Sequence, residues 1–165
     1  IEKSHFKSIT SVYEDAGCEI RETHGIVVIT SSGNLKAIEK VTTQPYPGFP
    51  TDMQAQLMAS MLKADGITII EETVFDSRFK HVPELQKMGA NITTIGRVAV
   101  IEGVKKLYGA EVEAKDLRGG AALVIAAMGA EGTTKVNNIH HINRGYEKFV
   151  NKLQNLGVII TETND

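Results

Sequence analysis

With a single cysteine, Cys18, the chain can form no internal disulfide, and its cysteine usage fits a reducing compartment. Tryptophan is absent, and the 18 basic and 20 acidic residues form no basic stripe interleaved with aromatics, so nucleic acid is not an expected partner. The longest apolar run, Ala121 to Met128, is far too short to span a bilayer, so no membrane association is expected. No signal peptide is visible, although the chain opens on Ile1 rather than Met, and the default expectation is cytoplasmic. Proline is scarce as well. Three of the four prolines fall in Pro45-Tyr46-Pro47-Gly48-Phe49-Pro50, where fixed φ angles stiffen the backbone and disfavour helix.

What is present suits one globular domain around one sizeable core: 165 residues, 42% hydrophobic, 23% charged, net charge -2. The chain also repeats itself. Tyr13-Glu14-Asp15-Ala16-Gly17-Cys18-Glu19-Ile20 recurs in form as Leu85-Gln86-Lys87-Met88-Gly89-Ala90-Asn91-Ile92 and as Leu153-Gln154-Asn155-Leu156-Gly157-Val158-Ile159-Ile160. Each reads as a last helical turn, a glycine cap and a strand. Lys63-Ala64-Asp65-Gly66-Ile67-Thr68 is likewise echoed by Gly129-Ala130-Glu131-Gly132-Thr133-Thr134. The period of roughly 70 residues exceeds that of solenoid repeats and divides the chain into units near 1–36 (partial), 37–103 and 104–165.

A complete unit reads strand, helix, strand, helix, strand, strand. In the middle unit, Ile38 to Thr43 is extended and Asp52 to Ala64 helical, with Met53, Leu57, Met58, Met61 and Leu62 on one face. Ile67 to Thr73 alternates, with Ile67, Ile69 and Val74 as its apolar members; a short helix near Pro83 to Met88 and strands around Ile92 and at Val98 to Ile101 follow. The last unit repeats this with strand Ala110 to Ala114, helix Leu117 to Ala130, strand Thr133 to Asn138, helix Arg144 to Leu156 and strand Val158 to Thr161. The expected fold class is α/β, in repeated units around one core.

Directly after the proline-rich loop, Thr51 and Gln54 have the spacing of a capping box, which puts Asp52 in the first turn of a helix. Two readings stand for Asp52: a rigidly held catalytic base, or an acid complementing the helix dipole. Spacing alone favours the second. Three arginines lie where a cation is unfavourable by about 0.3–1 kcal/mol. Arg118 follows the cap candidate Asp116, Arg144 follows the cap candidate Asn143, and Arg78 precedes the Pro83 helix. A lone arginine of this kind is ordinarily solvated or paired with a nearby acid. Three at equivalent places favour an anionic ligand, which planar guanidinium groups grip bidentately.

Other signals carry less. His140-His141 sits in an expected strand-to-helix loop with side chains pointing apart and no third ligand, so no metal is expected. His5, His24 and His81 read as surface or loop residues, and Cys18 as a small buried hydrophobe. Arg118-Gly119-Gly120 lacks dinucleotide spacing, its glycines instead allowing close backbone approach at a helix start.

Four motifs in order, Pro50-Thr51-Asp52-Met53-Gln54-Ala55-Gln56, Glu72-Thr73-Val74-Phe75-Asp76-Ser77-Arg78, Asp116-Leu117-Arg118 and Arg144-Gly145-Tyr146-Glu147, closely resemble the UDP-N-acetylglucosamine 1-carboxyvinyltransferase (enolpyruvyl transferase) family. The resemblance covers essentially the whole chain but only the C-terminal part of such an enzyme. It implies an inside-out α/β barrel of βαβαββ units, and transfer of the enolpyruvyl group of phosphoenolpyruvate to the 3-hydroxyl of UDP-N-acetylglucosamine with release of phosphate, the first committed step of peptidoglycan synthesis. It implies no cofactor.

By the same resemblance, Asp52 takes the proton of the attacking hydroxyl. Val74 and Phe75 contact the nucleotide-sugar. Arg78, Arg118 and Arg144 hold the carboxylate and phosphate of phosphoenolpyruvate, and Thr51 and Asp116 complete the substrate-binding set. The partner it implies is the N-terminal domain of the same chain, carrying a lysine-asparagine pair, a reactive cysteine that Cys18 does not match, and further arginines. Without that domain, half an active site and negligible turnover are expected. Asn143 departs from the aspartate usual before Arg-Gly-Tyr. The rival readings are the sister synthase acting on shikimate 3-phosphate and a non-catalytic paralogue that binds a sugar nucleotide.

Overall fold

The computed structural model describes residues 6–163, so His5 lies outside the described residues. Helix α1 (Lys7–Asp15) leads into a hairpin of β1 (Glu19–Thr23) and β2 (Ile26–Thr30). β3 (Lys40–Thr42) is followed by a 3-10 turn at Thr51–Met53, α2 (Gln54–Met61), β4 (Ile67–Glu71), α3 (Val82–Lys87), β5 (Asn91–Ile95) and β6 (Val98–Glu102). The rest comprises β7 (Leu107–Tyr108), β8 (Glu111–Glu113), α4 (Leu117–Met128), β9 (Ala130–Glu131), β10 (Lys135–Asn137), the single turn α5 (His140–Asn143) and α6 (Phe149–Asn155).

The main sheet runs β3-β4-β6-β5, with β3 parallel to β4 and the other pairs antiparallel. Strand alternation sends Val41, Thr68, Ile70, Ile92, Ala99 and Ile101 to one buried face, while Ile67 and Ile95 face solvent. The apolar members expected for β4 were Ile67, Ile69 and Val74. The buried face is instead Thr68 and Ile70, and Thr68 earns its place by accepting the Ile38 N–H through its hydroxyl. Against this face lies α2, packed on α4 and β4. It is buried nearly all round, with Gln54, Ala55 and Gln56 covered as well as Leu57, Met58 and Met61, rather than one-faced as its pattern suggests. Helices inside and sheets outside make the architecture mixed α/β and inside-out, and the described sheets do not close into a barrel. No helix among the described residues is long and apolar enough to cross a membrane.

The repeats are visible atom by atom. Gly17, Gly89 and Gly157 have φ of 95°, 90° and 87°, the left-handed conformation that glycine adopts without a Cβ clash. Each closes its helix identically, the next residue's N–H reaching back to Tyr13, Leu85 or Leu153. Gln86 and Gln154 then each donate to the carbonyl six residues on, at 2.9 and 2.8 Å. The last unit departs from its expected outline. Arg144 ends α5 instead of starting a helix, and α6 begins only at Phe149. Val158 to Thr161 is not a strand: β5 has β6 to pair with, whereas this segment has no ladder partner among the described residues. It borders an apolar groove of about 540 Å³ with Val124, Val136, Ile142 and Phe149.

Two close fits carry expectations for stability. A Cβ on Gly120 would stand 2.7 Å from Ile142 Cγ1 and 3.0 Å from Ala114 Cβ. The glycine therefore lets α4 lie on α5, and Gly120→Ala should lower stability by about 1–3 kcal/mol through overpacking, read as a lower urea midpoint. Glu84, 3% exposed, ties α3 to β8: it accepts from Glu113 N–H at 3.1 Å and pairs with Lys87 at 2.7 Å and Lys115 at 3.0 Å. Burial pushes its carboxyl up, but the two lysines and the N–H prevail and hold it at about 2. A depressed carboxylate contributes stability that is full above its ordinary 4.5 and lost as pH falls through about 2. Glu84→Gln should thus cost about 2 kcal/mol at pH 7, allowing for the half-exposed lysines, and the deficit should shrink between pH 4.5 and 2.

Candidate active site

Three segments meet at the C-terminal side of the main sheet's first strands: the 3-10 turn ahead of α2, the loop after β4, and the start of α4. The expected capping box at Thr51 and Gln54 does not form. The 3-10 turn is capped by neither, because the Thr51 hydroxyl is turned to Glu72 Oε2 at 2.8 Å, and the buried Gln54 amide has no partner among the described residues. Asp52 nevertheless occupies the first turn, its side chain 58% exposed. At α4 the Asp116 carboxylate accepts the N–H groups of Arg118 and Gly119 at 2.9 and 2.8 Å. Its role in the structure is that of an N-cap. With Asp116 occupied by the backbone, the Arg118 guanidinium turns outward and Nε donates to Asp52 Oδ1 at 2.5 Å.

Arg78 approaches the same carboxylate from the other side, Nη2 to Oδ1 at 3.4 Å, while its Nε donates to Thr51 Oγ1 at 3.2 Å. Its guanidinium carbon stands 4.5 Å above the Phe75 ring, which fixes its plane. Val74 and Phe75 themselves are exposed beside it. Asp52 thus sits between two cations. The hydrogen bond from Arg118 holds its carboxyl below the usual range, burial opposes this, and the charges of Arg118 and then Arg78 reinforce it. The same bond raises Arg118.

Arg144 is exposed, and its guanidinium has no partner among the described residues. The structure therefore brings two of the three predicted arginines onto one carboxylate and leaves the third unengaged among the described residues. Asn143 does not cap a helix; its amide donates to Glu162 at 3.0 Å, a contact that an aspartate would turn into repulsion. Tyr146 accepts from Gln56 Nε2 at 2.9 Å and connects this loop to α2.

Two histidine expectations are corrected. His140 and His141 lie in α5 with ring centroids 4.1 Å apart, since helical rather than extended backbone puts neighbours side by side. His81 is not a surface residue. It is 2% exposed between the Arg78 loop and α4, neither ring nitrogen has a close hydrogen-bond partner among the described residues, and burial lowers it to about 4 against the opposing pull of Asp116 and the Arg78 backbone. Gly119 makes room for it, an added Cβ there falling 3.0 Å from His81 Cβ.

The residue that sequence reasoning passed over is Glu72. It is 1% exposed and accepts from Thr43 Oγ1 at 2.8 Å, Val74 N–H at 2.9 Å and Phe75 N–H at 3.0 Å, besides Thr51. Burial pushes its carboxyl up, yet these four donors bring it below the ordinary value. Its signal in the sequence was an acid directly after the β4 strand, at the head of the Glu72-Thr73-Val74-Phe75 motif. Arg97 braces the same loop by donating to Thr73 O and pairing with Asp76.

An ionised carboxylate flanked by two arginines at the protein surface can bind an anion and move a proton. Comparison with known proteins places the arrangement. The sequence model described as EPSP synthase (3-phosphoshikimate 1-carboxyvinyltransferase) matches residues 1–153. The chain belongs to this family. Two proteins of Caldanaerobacter subterraneus subsp. tengcongensis, named UDP-N-acetylglucosamine 1-carboxyvinyltransferase 2 and 1, are 49% and 51% identical over 96% and 94% of the chain. The chain spans 38% and 37% of their lengths. The crystal structure of the enolpyruvyl transferase NikO from Streptomyces tendae superposes with a TM-score of 0.82 at 28% identity, over 92% of this chain and 35% of that one. The resemblance carried by the four motifs is borne out by these relatives, and the inside-out α/β architecture is that of the EPSP synthase family.

Proposed function

We propose that this chain is the arginine-bearing part of an enzyme that transfers the enolpyruvyl group of phosphoenolpyruvate to the 3-hydroxyl of UDP-N-acetylglucosamine. The observation that carries the reading is the Asp52 carboxylate between Arg118 and Arg78, in a chain about half identical to proteins named for that reaction. The sugar hydroxyl forms a C–O bond to C2 of the enol phosphate while C3 gains a proton, giving a tetrahedral phosphate adduct. Loss of a C3 proton and of phosphate then restores the double bond. Asp52 takes the hydroxyl proton. Arg78, Arg118 and Arg144 hold the ligand's carboxylate and phosphate, and Val74 and Phe75 offer an apolar edge to the nucleotide-sugar. Asp116 contributes by capping α4 and so aiming Arg118.

Arginines that keep Asp52 acidic weaken it as a base. The ligand resolves this: once its anionic groups engage the guanidinium groups, less positive charge acts on Asp52 and its proton affinity rises as the hydroxyl arrives. The groups that protonate C3 lie outside this chain, in the N-terminal domain of the full enzyme, and the product enters peptidoglycan synthesis in the cytoplasm. The chain alone has negligible turnover.

The test is phosphate release by a protein of full family length carrying this chain, given phosphoenolpyruvate with either UDP-N-acetylglucosamine or shikimate 3-phosphate. Release with the sugar nucleotide only is expected. Release with shikimate 3-phosphate would move the assignment to the sister reaction, and release with neither would leave a binding paralogue.

A further inference from the structure

Glu72 is buried to 1% exposure, and among the described residues its ionised carboxylate takes no hydrogen bond from a lysine or arginine side chain. Such a charge is expensive to bury. A neutral acceptor would satisfy most of its partners, because Thr43, Val74 N–H and Phe75 N–H all converge on the single oxygen Oε1. Only the fourth partner, the Thr51 hydroxyl at Oε2, requires that both oxygens accept. The charge therefore fixes one thing: it draws the Thr51 proton inward and leaves a Thr51 lone pair facing Arg78 Nε–H at 3.2 Å.

We infer that Glu72 is a positioning residue for phosphoenolpyruvate, acting through the Thr51 hydroxyl to orient Arg78, while its other oxygen fixes the Val74-Phe75 backbone that faces the nucleotide-sugar. The inference rests on the proposed reaction and assigns its two substrates to the two oxygens of one carboxylate. The relay runs from Arg78 Nε–H to Thr51 O–H to Glu72 Oε2, with the Phe75 ring holding the guanidinium plane. Arg78 keeps its Nη groups for Asp52 and for the incoming anion.

Glu72→Gln separates the halves. Two N–H donors and the Thr43 hydroxyl crowd Oε1, so the amide oxygen stays there and the amide nitrogen takes the Thr51 side. Thr51 then receives N–H from both directions and a charge-assisted bond is lost. In the full-length enzyme, KM for phosphoenolpyruvate should rise about tenfold with KM for the sugar nucleotide within about twofold. Thr51→Val should reproduce this split, Thr51→Ser should restore the wild-type value, and the double variant should be no worse than the poorer single one. Glu72→Ala should raise both KM values. Equal weakening of both substrates by Glu72→Gln, additive single effects, or lowered melting temperature with unchanged KM would overturn the assignment and leave Glu72 a purely structural acid. The Arg78 Nε–H proton resonance gives a readout independent of turnover: it should move in Thr51→Val and in Glu72→Gln. A resonance unchanged in both removes the relay even if the enzyme is fully active, whereas a wild-type protein with an intact relay and no activity indicts the reaction alone.

Discussion

Replacing Asp52 with alanine in the full-length enzyme should reduce kcat by about 10²–10⁴-fold, the usual contribution of a positioned general base, while KM for phosphoenolpyruvate stays level or falls. The two parts of this expectation have one cause. In the free structure Asp52 neutralises Arg118 and Arg78, so it competes with any anion for them. On the proposed reading, its removal frees both guanidinium groups for the ligand and deletes only the proton acceptor. Folding should be little affected, because the side chain is 58% exposed and exposed ion pairs contribute about 0–1 kcal/mol. Asp52→Asn should behave alike, since it keeps the shape and loses the base. A kcat within tenfold of wild type would return Asp52 to the other reading of its position, an acid that complements a helix start. Steady-state kinetics with both substrates varied decides between them.

The elements were legible wherever local chemistry dictates them. A glycine after a helical turn must take the left-handed region, and all three repeated glycines do. Asp116 was readable as a cap because the backbone N–H groups of the next turn lie within reach of its carboxylate. The failures share a cause too, since each was decided by a partner distant in sequence. Thr51 abandons Gln54 for Glu72, 21 residues on. Thr68 is buried because Ile38 N–H needs an acceptor. His81 is enclosed by α4, whose Gly119 leaves it space. Val158 to Thr161 has the composition of a strand, but a ladder needs a second strand. At the site, the convergence of Arg78 and Arg118 was expected from their misplacement near helix starts. Arg144 was placed by a helix boundary that the folded chain puts elsewhere.

The second large effect concerns Arg118, whose Nε reaches Asp52 while its backbone N–H is held by Asp116. Arg118→Ala should raise KM for phosphoenolpyruvate on the order of 10²-fold, the effect of truncating one partner of a hydrogen-bonded charge pair in a partly buried site. Lysine should rescue little of this. An ammonium group cannot reproduce the planar edge that engages Asp52 in the free state and, on the proposed reading, a ligand carboxylate or phosphate in the bound one. A second consequence appears in pH dependence. The hydrogen bond from Arg118 is the chief reason that Asp52 is held below the ordinary carboxylate range, so its loss lets the Asp52 carboxyl rise. The acidic limb of kcat/KM, which reports protonation of the base in the free enzyme, should therefore shift upward in Arg118→Ala, with the enzyme losing activity at higher pH than wild type as acid is added. Arg78→Ala should shift the limb in the same direction by less, because Arg78 acts on Asp52 from 3.4 Å and is the smallest contributor to its acidity. A limb that stays in place in Arg118→Ala would mean that the group titrating in the kinetics is not Asp52, and the base would have to be sought among the residues that the rest of the enzyme brings to this cleft.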